Sequence, residues 1–237
     1  MNLIDLGQEL RSNTYPGRGI VLGLTPDGAH AVIGYFTMGR SENSRNRIFI
    51  DNGPDLKNEA FDPAKLTDPS LVIYTPVRTL GETTIVTNGD QTDTIYDALA
   101  AGGDFAGALR TRTFEPDPPN FTPRISGVVI RDHGKLRYKL SILKSMQHCA
   151  DSVQRFFYEY DQPVAGTGHF IHTYDGDGNP IPTFSGTPKE VAICGDLDMF
   201  TELLWTNLND DNKVSLFTRF INLQTGAFET RICNKNV

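Results

Sequence analysis

The 237-residue chain is predicted to be an α+β protein built on largely antiparallel sheets. Three observations predict this. About ten short segments alternate in polarity or are β-branched, as strands are. The few helical patterns are grouped, and do not interleave with the strands one by one. Strong turn signals, such as Thr25-Pro26-Asp27-Gly28 and Gln224-Thr225-Gly226, join neighbouring strands directly. No internal repeat, low-complexity linker or shift in composition divides the chain, so residues 1–237 are expected to form one domain.

In order along the chain, Leu3, Leu6 and Leu10 recur at helical spacing and predict a short helix over residues 2–12. A Pro- and Gly-containing turn, Tyr15–Gly19, leads into a hairpin of strands 20–24 and 31–38. A polar loop, 39–47, separates that hairpin from a strand at 48–50. Residues 51–69 carry three prolines and are expected as an extended excursion. Residues 71–77 read as a strand, with Tyr74 inside it and Pro76 near its end; 79–82 turns, and β-branched 83–87 returns. The polar loop Asn88–Thr94 opens a helix over 95–101, with Thr92 or Asp93 as its cap. A second short helix is expected at 105–109. Residues 115–123 hold four prolines and are read as irregular. Strands follow at 124–131, 136–143 and 153–160. A hairpin of 169–174 with 181–184 is expected around Asp175–Pro180. A helix from Leu197 to Trp205 and a closing hairpin, 214–222 with 228–233, complete the chain.

Composition narrows the function classes. Hydrophobic residues make up 38% of the chain, and no apolar run approaches the roughly 20 residues of a membrane span. Met1-Asn2-Leu3-Ile4-Asp5 has no basic region followed by an apolar core, so a cytoplasmic location is expected. Cys149, Cys194 and Cys233 are too scattered for a disulfide framework or a paired-cysteine metal site. The net charge of −7 argues against a nucleic-acid binder.

Against that acidic background, Gly39–Arg47 collects three arginines in nine residues, Arg40, Arg45 and Arg47, with no apolar residue. Like charges this close repel unless an anion or carboxylates sit among them. Guanidinium is suited to grip phosphate or carboxylate with paired hydrogen bonds. The loop reads as an anion-gripping wall; a solvated basic loop is the plainer alternative. The Asn88–Thr94 loop would aim free backbone N–H groups at whatever lies before it, or else simply cap its helix. Glu115, held in a proline-stiffened loop before Arg124, could move a proton if its surroundings raise its pKa. Tyr74 reads by itself as a core tyrosine. His169 and His172 fall on opposite faces of a strand and make a poor metal pair. Asp175–Asn179 lacks the distant glutamate of a calcium loop. No phosphate loop, dinucleotide fingerprint or nucleophile elbow is present, and Asn2 is no N-terminal nucleophile. Metal and cofactor are both expected to be none.

Four stretches form a recognisable set: Tyr35–Arg47, Val72–Arg78, Thr87–Ile95 and Glu115–Ile125. Together they resemble the stand-alone, folate-independent IMP cyclohydrolases first recognised in archaea. The Asn-Gly-x-x-Thr-Asp-Thr-Ile segment is the most specific piece; His172–Pro188 matches more loosely. The chain departs from the family in extra residues inside the arginine loop and in longer N-terminal and C-terminal parts. The resemblance implies a four-layer αββα sandwich of the N-terminal-nucleophile hydrolase type, used without that nucleophile. It implies closure of 5-formamidoimidazole-4-carboxamide ribonucleotide to IMP with loss of water, without metal or folate, in a homo-oligomer. It places Arg47, Tyr74 and Glu115 in the catalytic group. The substrate-binding wall would include Arg40, Ser41, Arg45, Asn88, Gly89, Asp90, Thr92, Asp93 and Thr94, and Arg18 and Arg124 complete the candidates. The expected partner is a purine ribonucleotide, with no nucleic acid and no membrane. A non-catalytic purine-nucleotide-binding protein, or an amide hydrolase acting on another phosphorylated substrate, are the alternatives.

Overall fold

A computed structural model describes residues 3–67, 69 and 71–237. Helix α1 (Leu6–Ser12) is shorter than the predicted segment, because the Asp5 carboxylate accepts the Gln8 N–H and fixes its start; Asn2 lies outside the described residues. The first hairpin is β1 (Arg18–Leu24) and β2 (His30–Met38). A single helical turn, α2 (Glu42–Arg45), interrupts the arginine loop.

The excursion expected at 51–69, whose Asp68 lies outside the described residues, is a correction. It contains most of a hairpin, β3 (Ile48–Asn52) with β4 (Asp55–Glu59), turning at Gly53 with φ 69°, and a 3₁₀ turn at Pro63–Lys65. The strand expected at 71–77 is a second correction. Extended pairing there begins only at β5 (Val77–Leu80). Pro76 has no N–H to give to a ladder, and the Asn58 side chain and backbone N–H take the carbonyls of Val72 and Tyr74. Tyr74 therefore sits in an irregular segment.

Next come β6 (Thr83–Thr87), α3 (Gln91–Ala100) and α4 (Phe105–Arg110, capped by Asp104). They are followed by β7 (Arg124–Asp132), β8 (Lys135–Ser145), β9 (Val153–Tyr160), β10 (Thr167–His172) and β11 (Lys189–Ala192). Helix α5 (Leu197–Asn207), β12 (Lys213–Asn222) and β13 (Phe228–Asn234) close the chain. The hairpin expected at 169–184 is reduced to one bridge, Tyr174 with Thr183, because β10 pairs instead with β1 and β11.

One sheet has the order β11-β10-β1-β2-β12-β13; the other runs β3 to β9 in sequence order. Every pairing between these strands is antiparallel. Alternation decides which face each residue takes. Ile20, Leu22, Ile33, Tyr35 and Phe217 from the first sheet join Val86, Ile125, Val129, Leu140 and Ile142 from the second in one buried cluster. The opposite face of the first sheet, through Val21, Val32 and Phe36, packs on Leu6, Leu10, Phe200 and Leu204 of α1 and α5. The opposite face of the second, through Ile85, Val128 and Leu143, packs on Ile95, Phe105 and Leu109 of α3 and α4. No helix among the described residues is long and apolar enough to cross a membrane.

Candidate active site

Six candidates predicted from sequence are delivered by the starts or ends of strands and by the loops beside them. Arg18 opens β1, Arg47 immediately precedes β3, Asn88 follows β6, and Arg124 opens β7. Tyr74 and Glu115 come from the irregular segments before β5 and β7. All six are buried: Arg47 is 0% exposed, Glu115 2%, and neither Tyr74 nor Arg18 exceeds 9%. Charged groups this deep need partners or a ligand.

Glu115 is the group whose charge is poised. Burial pushes its carboxyl up to about 7, while Arg18, Arg124 and Arg47 pull the other way. Burial also works against the charge on Arg18, but Glu115 and the phenols of Tyr15, Tyr174 and Tyr74 outweigh it. Arg18 thus stays protonated, and of this pair Glu115 is the one that titrates near neutrality. Burial and the neighbouring Arg18 charge lower Arg47. One nitrogen of Arg47 donates to the Met38 carbonyl at 3.2 Å, whereas Nε and Nη1 have no hydrogen-bond partner. Burial raises the Tyr74 phenol, with Arg47 and Arg18 opposing. Its hydroxyl lies 2.7 Å from that of Tyr35. These mutual effects place Arg47, Tyr74 and Glu115 in one electrostatic neighbourhood.

The Asn88 loop is held from both sides. Asn88 Oδ1 accepts from the Ile125 N–H at 2.8 Å, and its amide nitrogen donates to the Pro123 carbonyl at 2.9 Å, leaving Glu115 at 3.4 Å. Arg124 donates to Gln91 at 2.7 Å and pairs with Asp90 at 2.7 Å. At Gly89 a Cβ would come within 2.5 Å of the Arg124 guanidinium and 2.7 Å of Gln91 Oε1, so a larger residue there would push those two side chains aside. The expected cap is corrected: α3 starts at Gln91, and the Asp90 carboxylate is taken by Arg112 and Arg124 and makes no cap. Thr92 donates to the Gly89 carbonyl, Thr94 accepts from Arg112, and Asp93 pairs with Arg78. The loop thus presents Asn88 to Glu115 and spends these other side chains on its own shape.

The arginine loop divides in the same way. Ser41 caps α2 in a reciprocal pair with Ser44. Arg45 donates to the Gly39 carbonyl and to Asn212, which makes it a brace of the loop. Arg40 pairs with Asp177, donates to the Gly178 carbonyl at 2.9 Å, and lies over the Tyr15 ring. Only Arg47 of the three reaches the buried cluster. Sequence reasoning missed Tyr35, Tyr15, Tyr174 and Gln91. The available signal for Tyr35 was alternation in β2, which puts it on the same face as Ile33 and toward the second sheet.

A cavity of about 430 Å³ lies elsewhere, beside the start of α5, and is lined by residues such as His30, Asp196, Phe220 and Arg231. Its lining holds none of Arg18, Arg47, Tyr74, Asn88, Glu115 and Arg124; its own charged groups include the exposed pair of Arg231 with Asp198. Among the described residues, no group of three or more His, Cys, Asp or Glu is arranged to hold a metal ion.

A sequence model of the family described as "IMP cyclohydrolase-like protein" matches residues 15–226. The chain is similar to an IMP cyclohydrolase of Methanopyrus kandleri, at 37% identity over 116 residues, 47% of this chain and 57% of that protein. It is also similar to IMP cyclohydrolases of Methanococcus maripaludis strains C7 and C6, at 31% identity over 129 residues, 52% of this chain and 62% of each relative. These matches span less than two thirds of the relatives' lengths.

Proposed function

The chain belongs to the IMP cyclohydrolase-like family, and on that premise we propose that it closes 5-formamidoimidazole-4-carboxamide ribonucleotide to IMP. In this reaction the carboxamide nitrogen bonds to the formyl carbon. One N–H proton goes to the formyl oxygen, giving a carbinol. The carbinol C–O bond then breaks, and the hydroxyl leaves as water with the proton of the former formamide nitrogen. Both reacting groups belong to one molecule, so the enzyme's main tasks are to fix their rotamers and stabilise developing charge.

The single observation that carries the reading is the buried meeting of a guanidinium, a phenol and a carboxyl with mutually shifted protonation. Arg47, with Nε and Nη1 unpartnered, is suited to the oxygen that gains negative charge. Tyr74, if Tyr35 donates to it, keeps its own proton free for that oxygen. Glu115, near 7, is suited to take a proton from the carboxamide and return it. Arg18, Asn88 and Arg124 position Glu115 and the ribotide beside it. Arg40, which borders the cluster through Tyr15, is suited to the outer, phosphate-bearing end. The helix–sheet–sheet–helix stacking we assign to the four-layer N-terminal-nucleophile type, in a single domain that acts as a cytoplasmic homo-oligomer. Turnover of the formylated ribotide by the purified protein tests the activity; tight IMP binding with no cyclisation would support a binding protein instead.

A further inference from the structure

Seven buried side-chain nitrogen or oxygen atoms among the described residues have no hydrogen-bond partner. Native interiors leave few such atoms, and each one calls for a reason. Five of the seven fall together: Arg18 Nε, Thr37 Oγ1, Ser215 Oγ, and Arg47 Nε and Nη1. Register explains why. Arg18 on β1 is the cross-strand partner of Thr37 on β2, and Thr37 is the partner of Ser215 on β12. Strands lie about 4.8 Å apart, so the three residues form one row about 10 Å long. Alternation puts that row on the face turned toward the second sheet, next to the row Ile20, Tyr35 and Phe217. Arg47 comes up beside the middle of the row, since it donates to the carbonyl of Met38, the residue after Thr37. The neighbouring row holds Tyr35, whose hydroxyl meets that of Tyr74. Thr37 and Ser215 are both 0% exposed.

Most buried hydroxyls outside the row have partners, with Ser141 Oγ the exception among the seven. Thr173, on the far side of Arg18, accepts the Arg18 N–H and donates to the Pro16 carbonyl. Thr201 and Thr218 pair with each other at 2.6 Å.

We infer that Thr37 and Ser215, with Arg47 and Arg18, form an oxygen-binding row that holds the formyl oxygen of the ribotide while it changes from carbonyl to departing water. The inference rests on the cyclisation reading and adds two residues to it, one of them from the C-terminal hairpin. The chemistry selects hydroxyls. A carbonyl oxygen only accepts, and the guanidinium N–H groups could serve it alone. Once that oxygen carries hydrogen it must also donate, and guanidinium cannot accept. A hydroxyl does both, and turns over as the oxygen changes.

The test uses Thr37→Val, Ser215→Ala and Thr37→Ser in the full chain. Turnover of the formylated ribotide and thermal unfolding without ligand are read for each. Thr37→Val and Ser215→Ala are expected to lose about tenfold or more in kcat with KM changed less than about threefold. Thr37→Ser keeps most of the activity. Unfolding midpoints stay level or rise, because an unpartnered buried hydroxyl is removed. Wild-type turnover in both hydroxyl-free variants overturns the inference. So does a Thr37→Ser variant as impaired as Thr37→Val, or a clear fall in midpoint, which would show a folding partner. If the unaltered protein does not cyclise the ribotide, the functional reading itself fails and this inference falls with it.

Discussion

Replacing Glu115 with Gln separates what the fold prefers from what the chemistry needs. Burial raises the Glu115 carboxyl from 4.5 to about 7 in the folded chain. The folded state therefore holds this proton more tightly than the unfolded state does. Where the unfolded chain binds fewer protons, stability falls as pH rises. The contribution is fully present below 4.5 and is lost as pH climbs through about 7. Once the group is ionised in both states, that shift amounts to about 3 kcal/mol. Gln mimics the neutral acid in shape and keeps a partner for Asn88. Denaturant unfolding of wild type and Glu115→Gln, run from pH 5 to pH 8.5, reads the effect directly. The variant should lie within about 1 kcal/mol of wild type near pH 5 and gain up to about 3 kcal/mol over it at pH 8.5. It should also lose turnover. A difference that does not change across that range would refute the raised carboxyl and, with it, the proton-transfer role.

Arg47→Met should cost about a thousandfold in kcat yet be no less stable than wild type, because an uncompensated buried charge is replaced by a side chain of similar volume; denaturant unfolding beside steady-state kinetics checks both. Tyr74→Phe should lower kcat about tenfold to a hundredfold with little change in KM, measured in the same assay. Arg124→Met breaks the contacts to Asp90 and Gln91 and should destabilise by about 2 kcal/mol. It also removes a positive charge that opposes the rise of Glu115, so the limb of the pH–rate profile governed by Glu115 should move to higher pH.

Much of the fold was legible because alternation and turn residues are local signals. The pairs 20–24 with 31–38 and 214–222 with 228–233 appear in the structure within a few residues of expectation. What failed was decided at a distance. The residues around Tyr74 look like a strand by composition, but Asn58 on β4 takes their carbonyls and Pro76 interrupts the ladder. The prolines and polar residues of 51–69 concealed part of a hairpin whose turn rests on Arg219, which donates to the Gly53 and Pro54 carbonyls from another sheet. At the site, the family resemblance singled out Arg47, Tyr74 and Glu115, and residue type pointed to the arginine loop and the Asn88 loop. It could not show that Arg45 and Ser41 are spent on bracing their own loop, because their partners Asn212 and Ser44 carry no chemical signature. Nor could it place Ser215 beside Thr37, since that adjacency depends on which strands become neighbours.

The central claim is most directly tested by mixing the purified protein with 5-formamidoimidazole-4-carboxamide ribonucleotide, without added metal or folate, and following absorbance as the purine ring forms. IMP should accumulate in proportion to protein, and Arg47→Met should abolish the signal. A flat trace from folded wild-type protein would contradict the account.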